Sequence, residues 1–169
     1  MALDLNGKRV AIIGMARSGI GAAKLVTRLG GYALISDVKS SDALFPALEE
    51  LRGTGIDTET GGHFRAASEA FDAVVLSPGV VPKPELEQSW TSRGIPVWSE
   101  IELAARACPN PWIGVTGSNG KTTTVHLIYD MLRQAGLNAV LAGNVGQSWS
   151  GMLPAPLDTV FVVEVSSFQ

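Results

Sequence analysis

Three observations predict an α/β fold built on parallel sheets. Short apolar runs alternate with segments whose apolar residues recur at helical spacing; the intervals are long enough for crossover helices; and glycine clusters fall where a strand hands over to a helix. The pattern opens twice, at RVAIIG (9–14) and again at WIGVT (112–116). The expectation is therefore a Rossmann-like parallel-sheet domain over 1–107, followed over 108–169 by the first part of an incomplete P-loop-type mononucleotide-binding α/β domain.

Element by element, RVAIIG ends in a glycine and is followed by Ala22, Leu25, Val26 and Leu29 at helical intervals. YALIS (32–36) reads as the second strand, FPALEELRG (45–53) as a helix, IDTET (56–60) as a polar strand and DAVVLS (72–77) as a buried one. SPGVVPKP is a turn by its proline and glycine. LEQSWTSRG supplies a helix, IPVW (95–98) a fifth strand, and Ser99 with Glu102 has capping-box spacing at the head of SEIELAARA. CPNP (108–111) is the joint. Beyond it, WIGVT is a strand, 121–134 a helix with Val125, Ile128, Tyr129 and Leu132 on one stripe, and LNAVLAG (137–143) and DTVFVVEV (158–165) are strands.

The chain has 169 residues, 46% of them hydrophobic, which suffices for one substantial core or two modest ones. A formal charge of -3 with mixed signs argues against a nucleic-acid binder working through a general basic surface. The single Cys108 leaves no disulfide framework and no recognisable metal cluster. MALDLNGKRVAIIG runs straight into a strand without the pattern of a secretory signal, so a cytoplasmic location is expected. The uncharged stretch from Gln134 to Leu157 is too rich in Asn, Gln, Ser and Gly for membrane insertion.

GMARSGIG (14–21) occupies the first strand-to-helix turn, where glycine lets backbone approach an anion and the helix-start amides can donate to it. Gly14 and Gly19 fit the outer glycines of a dinucleotide fingerprint, but Ala16 replaces the middle one and its Cβ crowds the pyrophosphate approach. The turn is read as a nucleotide or nucleotide-sugar site, or else as a tight junction only. Asp37, 18 residues beyond Gly19, with Val38 and Lys39, is a candidate for ribose or base recognition, or a solvated loop acid. Ser77, Pro78 and Gly79 form another strand exit, where ligands collect in open parallel sheets and ordinary turns also occur.

The second turn is more specific. In TGSNGKTTT (116–124), Gly117, Ser118, Asn119 and Gly120 give a flexible amide-rich loop. Lys121 can reach a β/γ-phosphate, and Thr122 has the hydroxyl position that coordinates Mg²⁺ in phosphate-binding loops. Val115 stands where the usual motif has its first glycine, so the loop is a variant. Thr123 and Thr124 serve phosphate or the first helical turn. Glu164, at the end of an apolar strand, is a candidate metal ligand against a plain strand-end acid. Asn144 in AGNVG serves phosphate or neighbouring backbone. His63 reads as an ordinary loop residue and His126 as helix surface or packing; Trp90, Trp98 and Trp112 read as packing.

GMARSG, SPG at 77–79, GVTGSNGKTTT at 114–124, AGNVG at 142–146 and VEVSSFQ at 163–169 together resemble the Mur ligases, in that family's order across essentially the whole chain. The resemblance implies that Gly14, Arg17 and Ser18 face a substrate diphosphate, that Asp37, Val38 and Lys39 face uracil, and that Ser77, Gly79 and Asn144 also touch this substrate. It implies ATP and Mg²⁺ as cofactors, with Gly117, Ser118, Asn119, Gly120, Lys121, Thr122 and Thr123 at ATP and Thr122 and Glu164 at the metal. Ser166 and Gln169 would organise phosphate and the reactive substrate end. The implied chemistry activates UDP-N-acetylmuramoyl-L-alanine as an acyl phosphate for attack by the amine of D-glutamate, in peptidoglycan synthesis. The rest of the ATP domain and a third domain are expected beyond this chain, so residues 1–169 alone are expected to be inactive in ligation. A nicotinamide enzyme, a general ATPase module and other amino-acid ligases of the family are the competing readings.

Overall fold

The computed structural model describes residues 3–166. Its first sheet holds β1 (Arg9–Ile13), β2 (Tyr32–Asp37), β3 (Asp57–Thr60), β4 (Ala73–Leu76) and β5 (Val97–Ser99), all parallel, in the order β3-β2-β1-β4-β5. Chain order reverses direction between β1 and β4, which is where ligands bind in open parallel sheets. Helices α1 (Arg17–Arg28), α2 (Phe45–Leu51), α3 (Phe64–Ser68), α4 (Pro84–Thr91) and α5 (Glu100–Ala107) follow the strands in turn.

The apolar runs go inside because central parallel strands are covered on both faces. Val10, Ala11, Ile12, Ile13, Leu34, Ile35, Val74 and Val75 are fully buried. On α1, Gly19, Ala22, Ala23, Leu25 and Val26 form the buried face. Trp90 is enclosed on the opposite side of the sheet, its indole nitrogen donating to Ala66 O at 2.8 Å. Ser99 caps α5 by accepting from Glu102 N at 3.1 Å, as the capping-box spacing predicts.

The second sheet has β6 (Trp112–Val115), β7 (Asn138–Gly143) and β8 (Thr159–Glu164), parallel in the order β6-β8-β7, with α6 (Lys121–Gln134) between β6 and β7. This sheet is only partly covered. Trp112 is 44% exposed, Leu127 60% and Met131 62%, and Val125 is the one buried residue of α6.

The two sheets meet through a polar pin and an aromatic cluster. Glu100, at the start of α5 and 1% exposed, accepts from Ser150 N at 2.8 Å, from Ser148 Oγ at 2.7 Å and from Ser150 Oγ at 2.5 Å. Arg28 donates to Leu153 O at 2.6 Å, and α1 lies so close to the 148–151 turn that a Cβ on Gly21 would stand 2.9 Å from Gly151 N. Trp149 is fully buried, edge-on to Trp112 at 5.1 Å and tilted against Phe161 at 5.9 Å.

Four details depart from the sequence expectations. FRAAS forms α3, too short to show a period. Helix α4 begins at Pro84, because a first-turn proline needs no intrahelical N–H partner. Strand β5 starts at Val97, after Pro96, whose ring removes the donor a ladder needs. Trp112, expected to be packed, keeps one side open.

Candidate functional sites

A cavity of about 1090 Å³ opens at the carboxyl ends of β1, β2, β3 and β4, at the reversal of strand order. Gly14, Asp37, Val38, Lys39, Ser77 and Gly79 line it, so six of the nominated substrate residues converge on one hollow. The backbone there is tightly specified. Gly14 has φ +100, and a Cβ would meet Val80 Cγ2 at 2.7 Å. A Cβ on Gly19 would stand 1.9 Å from Gly14 O. Ser77 Oγ, buried, donates to Gly14 O at 2.9 Å and ties the two strand exits together. Asp37 accepts from Met15 N at 2.8 Å through Oδ2 and from Lys39 N at 3.0 Å through Oδ1. Its carboxylate thus shapes both turns as well as lining the hollow.

Arg17 and Ser18 are the first two residues of α1; Arg17 is exposed and Ser18 half-buried. Ala16 precedes them in an extended conformation and offers no side-chain cap, so the opening amides are left for solvent or a ligand.

The floor also holds residues not nominated for the site. Ser36, wholly buried, lies 2.7 Å from Glu59 Oε2, 2.9 Å from Gly62 O and 2.7 Å from His63 Nδ1. Glu59 further accepts from Arg65 N at 2.7 Å and Ala66 N at 3.3 Å, fixing the start of α3. Burial holds His63 below the ordinary imidazole pKa, partly offset by the nearby Glu59 and Asp37 charges. His63 and Phe64 line the cavity, and Phe64 is 77% exposed. Sequence spacing gives no sign of this cluster, because Ser36 and His63 meet only through the pairing of β2 with β3.

The second group gathers at the carboxyl ends of β6, β8 and β7. Gly117 has φ +147 and Gly120 φ +75, left-handed values that favour glycine. Gly120 caps α6 without a side-chain acceptor. Ser118, Asn119 and Thr123 are exposed, and Thr124 Oγ1 bonds back to Gly120 O at 2.9 Å. Lys121 Nζ donates to Gly117 O at 2.6 Å and Ser118 O at 3.5 Å, curling across its own loop. Thr122 Oγ1 donates to Glu164 Oε2 at 2.8 Å. Asn144 N donates to Glu164 O at 3.1 Å, so Asn144 lies with this group and does not line the larger cavity. Ser166 lies two residues past β8; Gln169 is outside the described residues.

A hydroxyl and a carboxylate held together beside the 117–120 glycine loop are hard oxygen donors that suit Mg²⁺, which is commonly held by one or two protein oxygens plus phosphate and water. Among the described residues no three His, Cys, Asp or Glu side chains gather as a metal cage. No helix among them is long and apolar enough to cross a membrane.

Residues 115–169 match the family described as the Mur ligase middle domain. A UDP-N-acetylmuramoylalanine–D-glutamate ligase of Shouchella clausii is 40% identical over 167 residues, covering 98% of this chain and 37% of the relative. The ligase of the same name from Koribacter versatilis is 42% identical over 169 residues, covering 99% of this chain and 37% of the relative. The chain thus spans 37% of the length of these relatives. Among solved structures, a UDP-N-acetylmuramate:L-alanyl-γ-D-glutamyl-meso-diaminopimelate ligase from Neisseria meningitides aligns with TM-score 0.57 at 22% identity, over 96% of this chain and 55% of that one. A pseudomurein peptide ligase type C from Methanothermus fervidus aligns with TM-score 0.53 at 23% identity, over 96% of this chain and 33% of that one. These two establish likeness of fold.

Proposed function

Because this chain matches the UDP-N-acetylmuramoylalanine–D-glutamate ligases over 98% of its length, we propose that it supplies two substrate sites to an ATP-dependent amide ligase of peptidoglycan synthesis. Residues 1–107 form the unit that takes the UDP part of UDP-N-acetylmuramoyl-L-alanine, and 108–169 begin the unit that takes ATP. Such a reaction belongs in the cytoplasm.

The observation that carries this reading is the pairing of Thr122 with Glu164 across 42 residues, directly beside the lysine-bearing loop. Their two oxygens would hold Mg²⁺, which when bound supplies positive charge to phosphate oxygens. Lys121 can exchange the carbonyls of Gly117 and Ser118 for phosphate oxygens and offset the charge that gathers on the transferred group. The loop amides and the start of α6 orient the same anion. In the reaction, a substrate carboxylate oxygen takes the terminal phosphoryl group and ADP leaves. The amine of D-glutamate then adds to the acyl carbon, and phosphate departs as the amide forms. Ser166, and Gln169 beyond it, would steady the reacting end.

Titration calorimetry of the chain with UDP-N-acetylmuramoyl-L-alanine and with NAD tests the first site. We expect saturable binding of the muramoyl nucleotide and no heat from NAD; the reverse result overturns the reading.

A further inference from the structure

We infer that His63 is a base-reading residue: its Nε2 is a fixed acceptor for the ring N–H of a uracil-type base in the cavity, with the Phe64 ring as the platform on which that base rests. This inference rests on the reading of the cavity as a nucleoside-diphosphate site.

The tautomer follows from counting protons at Ser36. Its hydroxyl carries one hydrogen and has three neighbours, Glu59 Oε2 at 2.7 Å, Gly62 O at 2.9 Å and His63 Nδ1 at 2.7 Å. A carboxylate and a carbonyl can only accept, so the single hydrogen goes to one of them. His63 must then donate from Nδ1 into a lone pair of Ser36 Oγ. Burial keeps the ring neutral near pH 7, so Nε2 carries no hydrogen and is an acceptor. Ser36 is wholly enclosed, which rules it out as an accessible nucleophile and makes it a holder of the ring.

With the Nδ1 edge turned toward buried Ser36, the Nε2 edge is left for the cavity that His63 lines, and it has no protein partner among the described residues. A half-buried acceptor without a partner is a place for a ligand donor. Uracil has a ring N–H between two carbonyls; cytosine has a bare, accepting nitrogen at that position and meets Nε2 lone pair to lone pair. The adjacent Phe64 ring is 77% exposed at the cavity wall, and a Cβ on Gly62 would press on it at 2.6 Å, so the glycine lets the ring lie against the backbone. An open aromatic face beside a directed acceptor is how proteins commonly hold a single base.

The test measures binding of UDP, N3-methyl-UDP and CDP to the chain by calorimetry. The native protein should bind UDP about tenfold more tightly than either analogue, the worth of one well-placed hydrogen bond. His63→Asn keeps an N–H toward Ser36 but removes the outer acceptor, and should bring UDP down to the level of N3-methyl-UDP. His63→Gln, whose carbonyl can reach the Nε2 position, should restore part of the preference. Phe64→Ala should weaken UDP and N3-methyl-UDP by the same factor. If UDP binds but the native protein treats the three nucleotides alike, the inference fails and the nucleotide site stands. If UDP does not bind at all, the reading of the cavity fails and the inference with it. A native preference for UDP that survives unchanged in a folded His63→Asn or His63→Gln protein, the fold checked by circular dichroism, also overturns the inference, since Asp37 lines the same cavity.

Discussion

The chain contains two strand–turn–helix junctions of similar outline, each with glycine at positive φ, and they differ in how tightly protein packs against the glycines. At Gly14–Gly19 the absent side chains make room for protein: a Cβ on Gly19 would collide with Gly14 O, and Ser77 occupies the space between two strand exits. At Gly117–Gly120 nothing crowds Gly120, and what glycine supplies is a left-handed φ. The surroundings differ in the same sense. Every ion pair found among the described residues lies between Lys8 and Arg106, whereas after Ala107 the charged side chains are only Lys121, Asp130, Arg133, Asp158 and Glu164. Two of these five stand at the second junction. The first region pairs charges along its own rim and shapes its cavity with backbone and with the Asp37 and Glu59 carboxylates, while the second sets two of its five charges where we place the polyphosphate.

Removing Lys121 should separate the two regions most sharply. In a complete ligase carrying this chain's residues 1–169, Lys121→Ala should slow acyl-phosphate formation, read as hydroxamate trapped by hydroxylamine, by about 10²–10³, the usual loss for one directed donor to a transferring group. UDP-substrate affinity should be unchanged. An unaltered trapping rate would remove Lys121 from the chemistry.

Gly19→Ala should be the larger injury to folding. The new methyl meets a backbone carbonyl oxygen at 1.9 Å, which cannot swing aside, and the buried Ser77 Oγ that is bonded to that same oxygen. We expect a loss of about 3 kcal/mol in urea denaturation, at the upper end of overpacking costs. Gly120→Ala, by contrast, meets open space and should cost only the left-handed penalty of about 1–2 kcal/mol. Equal losses at the two positions would mean that the junctions are built alike after all.

How much of this was legible beforehand follows from the same contrast. The strands, the α1 and α6 helices and the capped start of α5 are written in local periodicity and capping, so they could be read directly. The second junction was legible because a lysine, a threonine and paired glycines lie within a few residues. The strand pattern alone marks Glu164 as a candidate, but its bond to Thr122 depends on β6 pairing with β8. The Ser36–Glu59–His63 cluster was hidden for that reason: three elements bring it together, and His63 alone looked like a loop residue. Glu100 shows in the sequence only as part of a helix start, because its partners Ser148 and Ser150 lie on the other side of the joint. The part of the site that escaped reading is the part created by parallel pairing between distant strands.

The smallest expected effect tests the rim that the second region lacks. Asp72 accepts from Arg9 N at 2.8 Å and Lys8 Nζ at 3.0 Å, and these two bonds, the amide first, hold its carboxyl below the usual carboxylate range. A carboxyl lowered in the folded state adds stability above its unfolded pKa of about 3.9 and loses it as pH falls through the folded value. Asp72→Asn should therefore cost about 0.5–1 kcal/mol at pH 7, since the pair is exposed and partly screened. The gap to the native protein should close as pH falls through the lowered folded-state pKa, where native Asp72 itself takes up a proton. Asp130→Asn, on exposed α6 without an ion pair among the described residues, should stay within about 0.5 kcal/mol at neutral pH. Urea melts of the three proteins at neutral and acid pH make the comparison. An Asp72 gap that persists at low pH would show that shape, and not charge, holds that edge, and the contrast between the two rims would have to be drawn from packing alone.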